Sequence, residues 1–137
     1  MKRDDELIRR LLIDLVESPE AYSEEFIFVT MSAEEKTRSY HLELLLDSGF
    51  ILIQDERRFF INDEMPREEG RVFSRCRTFR VSNDGQDFYG ATRDDGIWKK
   101  TKESASGLGV VALGILKDIA VGLVKHQLTE KLGIPIA

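Results

Sequence analysis

One cysteine, three prolines, one tryptophan and two histidines are all that this 137-residue chain holds of the residue types that most often staple, stiffen or arm a protein. Each shortage excludes something. Cys76 alone cannot close an internal disulfide. A chain of this length needs none, since folding can bury roughly 70% of the surface its unfolded form exposes. A lone thiol fits a reducing compartment, so we expect a cytoplasmic protein. No stretch reaches the ~18 uninterrupted apolar residues of a membrane span. The nearest, 108–124, is broken by Lys117 and Asp118. The opening MKRDDELIRR brings acids at once and no apolar core, so no secretory signal is expected.

A basic excess is also missing. The net charge is −5 and the pI near 5.1, which counts against a dedicated nucleic-acid binder. Such proteins draw much of their affinity from neutralising phosphates, although a local patch can suffice. Finally, the sequence shows no Gly-rich phosphate loop, no nucleophile–base pair and no zinc-type ligand spacing. We therefore expect no catalysis, no cofactor, no metal and no small-molecule substrate.

What is present describes a folding chain. Hydrophobic residues make up 42% and charged residues 33%, the balance of a soluble globular domain. Leu7, Ile8, Leu11, Leu12 and Leu15 recur at helical spacing and predict a helix over 4–17. Asp4, Asp5 and Glu6 suit its positive end, and Ser18-Pro19 ends it. The β-branched and aromatic run 26–31 predicts a strand. Ser32 and Glu35 then have the spacing of a capping box, opening a helix that runs to about Ser48 with Leu42, Leu45 and Leu46 inward. Gly49 is placed to stop it in left-handed geometry, with Phe50 folding back. Residues 50–54 predict a strand whose pairing 57–62 extends, 62–70 a loop around Pro66, and 71–81 a second strand. Ser82 is a good cap for a further helix carrying Phe88, Ala91 and Thr92 on one side, and 93–103 continues it beyond a bend at Gly96.

After a small-residue linker, 110–132 predicts a long helix of unusually wide apolar face, with Gly114 and Gly122 allowing close backbone approach. The expected architecture is α+β: a winged-helix-like domain over 1–103 with a small antiparallel sheet, then over 104–137 a linker and an added C-terminal helix for packing or oligomerisation. The strand-to-helix joint at 70–103 is its best-defined part.

The segment SNDGQDFYGATRDDGIWKKTKE at 82–103 resembles the signature of a bacterial and phage family catalogued as domain of unknown function 2513. That pattern runs Gly-His-Asp-Phe-Leu, then Arg-Asp-Asp, a Trp and Thr-Lys. Gly85, Asp87, Phe88, Arg93, Asp94, Asp95, Trp98, Thr101 and Lys102 carry it, with Tyr40, His41, Leu42 and Gly49 upstream. MKRDDELIRRLL and pieces of the C-terminal helix are similar too. The chain departs from the pattern at Gln86, where the family has His, and in a longer loop at 55–70. The resemblance implies a winged-helix-like fold and no particular activity.

Candidate sites follow from charge and surface. Arg71, Arg75, Arg77 and Arg80 lie on one strand that no acid interrupts. Alternation puts Arg75 and Arg77 on one face and Arg80 on the other. With Lys36 and Arg38 on the preceding helix, Arg75, Arg77 and Arg80 form a candidate DNA phosphate contact. The competing reading is a solvated face paired with Asp55, Glu56, Glu64, Glu68 and Glu69. Leu113, Leu116, Ile119, Ala120 and Leu123 form a candidate homo-oligomer contact. Asp94 and Asp95 read as partners of basic neighbours at a helix end, because adjacent helical residues diverge. His41, His126, Cys76 and Trp98 read as packing or surface residues. The leading expectation is a regulator that touches DNA; the alternative is a self-associating interaction module.

Overall fold

The computed structural model describes residues 1–59 and 65–133. These described residues form an α+β fold, with five helices among them, the last one long, and a small antiparallel sheet. The chain divides into two compact units, Met1–Ser82 and Asn83–Ala137.

The first unit opens with α1, Asp5–Glu17. The Asp4 carboxylate caps it by accepting from the amides of Glu6 and Leu7. β1 is Ser23–Phe28, three residues earlier than the apolar run predicts. Acids have poor strand propensity, yet Glu24 and Glu25 pair with Thr78 and Arg77, so the ladder overrides composition. α2, Ala33–Asp47, begins with the expected capping box: Glu35 N–H donates to Ser32 Oγ at 3.1 Å and Ser32 N–H to Glu35 Oε1 at 3.0 Å. It ends as expected too. Gly49 has φ +77°, its N–H bonds Leu46 O at 3.0 Å, and Phe50 N–H bonds Leu45 O at 3.0 Å.

β2, Ile51–Arg58, and β4, Arg71–Val81, form a long antiparallel pair. β3 is only Arg67–Glu68, turned back onto β4 through Glu69 and Gly70, both at positive φ. The expected loop thus contains a short strand; its residues 60–64 lie outside the described ones. The strand order is β1-β4-β2, so β4 is central. α1 packs on α2 and β4, and α2 on β2. Ile8, Leu11, Leu12, Leu42, Leu45, Phe50, Ile51 and Phe79 are buried there. On the other sheet face Phe26, Phe28 and Phe59 meet the buried Phe73 edge-on, with centroids 5.0, 6.3 and 5.6 Å away.

The second unit is helical: α3 Asn83–Thr92, α4 Asp95–Ser106 and α5 Leu113–Leu132. The break between α3 and α4 falls at Arg93-Asp94 rather than at Gly96. Asp94 Oδ1 accepts from Ile97 N–H at 2.9 Å and starts a new helix. α4 runs on through part of the expected linker. α5 starts three residues late, since Gly109 turns at φ +76° and leaves Val110 exposed. Phe88, Ala91, Ile97, Trp98, Leu113, Leu116 and Ala120 are buried in this unit.

Candidate functional site

The central position of β4 decides what its arginines do. Arg77 is 1% exposed, the largest fully buried side chain among the described residues. The β1–β4 register sets it opposite Glu25, and its Nε donates to Glu25 Oε1 at 2.9 Å. Nη2 also donates to Glu25, and Nη1 reaches Glu43 on α2. Burial works against the charge, but the bonds to the two carboxylates outweigh it and hold the guanidinium pKa above its usual value. Such a group faces no solvent and offers no donor to a phosphate.

Arg75 lies on the same face, as alternation predicts, and donates twice to Glu56, at 2.9 and 2.5 Å. This bond is the main cause of the lowered Glu56 pKa. Arg71 makes a bidentate pair with Glu35, at 2.8 and 2.9 Å, and its guanidinium sits 3.8 Å over the Phe28 ring. The Arg71 bond, with help from Ser32, lowers the Glu35 pKa to about 2. The acid partners are therefore Glu25, Glu35, Glu43 and Glu56. Of these, only Glu56 belongs to the set expected from sequence; Glu64 is outside the described residues.

Arg80 is exposed, as are Lys36 and Arg38 on α2. Arg38 borders hollows lined by Asp14, Glu24, Glu25 and Glu35. The five candidate phosphate contacts thus separate into one buried residue, one half-buried pair member and three exposed cations, one of them among carboxylates.

The α5 candidates also divide. Leu113, Leu116 and Ala120 are buried by α5's own packing on α3 and α4. Leu123 packs against the Ala91–Ile97–Ala120 cluster, and Ile119 is half-buried. Ile115, Leu128 and Leu132 are the exposed apolar residues of this helix. A Cβ built on Gly114 or Gly122 would meet nothing within 4 Å, so no backbone lies against either glycine.

His41 is buried and links two helices: Asp4 N–H donates to Nε2 at 2.8 Å, and Nδ1 lies 2.8 Å from Thr37 O. An acceptor Nε2 puts the ring proton on Nδ1, which then donates to Thr37. Trp98 is buried, edge-on to Phe88. Burial, then Glu24, push the Cys76 thiol pKa up, away from what a thiolate nucleophile needs. His126 lies 3.0 Å from Glu130 on the exposed surface of α5. Among the described residues, no three His, Cys, Asp or Glu converge as a metal site requires, and no helix is long and apolar enough to cross a membrane.

One feature of the sequence carries no recognisable motif. β2 carries Leu52 and Ile53, 40% and 46% exposed, followed by Asp55-Glu56-Arg57-Arg58. The signal was available in the apolar run set beside a two-acid, two-base block, but only the sheet order makes it an edge.

No curated protein and no solved structure matches the chain. The 82–103 signature, the capped α2 and the α1 segment all fall within residues 2–111, which match one family model, and the chain belongs to that family, described as Hypothetical protein (DUF2513).

Proposed function

We propose that this protein is a non-enzymatic interaction module that works by self-association. The observation that carries the reading is β2. It lies at the end of the sheet and keeps Leu52 and Ile53 exposed. Apolar side chains on an edge strand are a liability unless something covers them. The non-enzymatic part rests on how polar candidates are engaged. Asp94 caps α4, His41 bridges Asp4 and Thr37, and the Cys76 thiol is shifted upward.

Sedimentation of the full chain across a wide concentration range tests this. The expected result is a weight-average mass that rises with concentration. A monomer at several hundred micromolar, where about 4–5 kcal/mol of association free energy would already register, overturns it.

A DNA-binding regulator is the second reading. It is favoured by the helix–strand–helix–strand order of the first unit, compatible with a winged helix, and by the exposed Lys36, Arg38 and Arg80. It lacks the scaffold helix that a helix-turn-helix places just before its recognition helix, because β1 occupies that stretch.

A further inference from the structure

The geometry points to the outer edge of β2 as the contact between two copies of this chain, an inference that rests on the self-association reading above. Among the described elements β2 pairs with β4 alone. Its other edge therefore presents backbone amides and carbonyls that a further strand can pair with. What chooses the partner is the charge order of residues 55–58: acid, acid, base, base. A strand of one sign repels its own copy. This one complements its copy when the two run antiparallel.

The pleat restricts the register. Directly opposite residues in an antiparallel pair point to the same face. Two copies related by a two-fold axis must therefore match residues of like parity. With Glu56 on the axis, Asp55 faces Arg57 of the second copy, and Arg57 faces its Asp55. Two ion pairs form for one contact. Both side chains are available, with Asp55 61% and Arg57 75% exposed, and joined only loosely along their own strand at 3.7 Å. The two Glu56 carboxylates would approach each other, but each is already neutralised from its own chain. Arg75 Nη2 lies 2.5 Å from it and Arg58 Nε 3.5 Å. Leu52 and Ile53 flank the paired segment at both ends.

Charge exchange tests the register directly. Sedimentation compares the wild-type chain, Asp55→Arg, Arg57→Asp and an equimolar mixture of the two variants. Each variant alone puts like charges at both contacts and should weaken self-association about tenfold or more. The mixture should restore it, because the introduced arginine at 55 then meets the introduced aspartate at 57, and the native Arg57 meets the native Asp55. A folding defect cannot produce that rescue. Asp55→Asn, which keeps the side-chain shape, should weaken association by a smaller factor and carries the test if a reversal disturbs folding. Wild-type association that neither reversal nor Asp55→Asn alters overturns this contact and leaves the self-association reading standing. A monomeric wild type overturns both.

Discussion

Arg77 shows how a single side chain changes meaning with its surroundings. On the sequence it is one of four arginines in a strand; in the fold it is a buried cation held by Glu25 and Glu43. Removing one partner of a buried pair leaves the other charge uncompensated, at a cost of about 3–5 kcal/mol. Glu43 keeps some solvent, so the lower end applies, and Arg77→Met should lower unfolding free energy by about 3 kcal/mol. Arg80→Met removes the same charge from an exposed site and should change it by less than ~0.5 kcal/mol. Urea unfolding of the two variants makes the comparison. Equal effects would show that Arg77 is not the buried hub. The facing of these arginines was legible, since alternation alone puts 75 and 77 together. Their partners were not. Glu25 and Glu43 lie 52 and 34 residues away in sequence, and nothing local reveals which strand lies beside β4.

At the scale of elements, the well-read ones are those whose ends carry local chemistry. The Ser32–Glu35 box and the Gly49 stop fixed α2 to within a residue, because both act through backbone groups a few positions away. Gly49 at φ +77° should resist replacement: Gly49→Ala costs about 1–2 kcal/mol through backbone strain alone, as no atom lies within 4 Å of the added methyl. Gly90 and Gly122 sit within helices, with open space where a Cβ would be. There Ala should stabilise by about 0.5–1 kcal/mol. Thermal melts of the three variants read the signs, and Gly122→Ala should leave self-association unchanged. Weakened association would return the contact to α5. The elements read less well, β1 and β3, depend on a distant partner. Ser23-Glu24-Glu25 is strand only because β4 pairs with it, and Arg67–Glu68 only because the Glu69–Gly70 turn returns it to β4.

The molecule as a whole is acidic, with net charge −5, and three of the β4 arginines, Arg71, Arg75 and Arg77, are matched within the first unit by carboxylates, which leaves Lys36, Arg38 and Arg80 too few to offset it. Random duplex DNA at ~50 mM salt should therefore show no binding in an anisotropy titration. Binding that falls steeply as salt rises would return the DNA reading to first place. Composition and run length alone showed enough apolar residues for a core, one thiol, and no apolar run of membrane-spanning length. Periodicity and capping signals determined most of the helices and the long β4, since these follow from contacts within a turn or a pleat. The α+β architecture and the family resemblance were readable from the same segments. Tertiary structure decided the strand order, and with it which charges are buried, which α5 residues face α3 and α4, and which strand forms an edge. Those outcomes depend on pairings between segments tens of residues apart. The free energy of such contacts belongs to the assembled sheet rather than to any stretch of sequence.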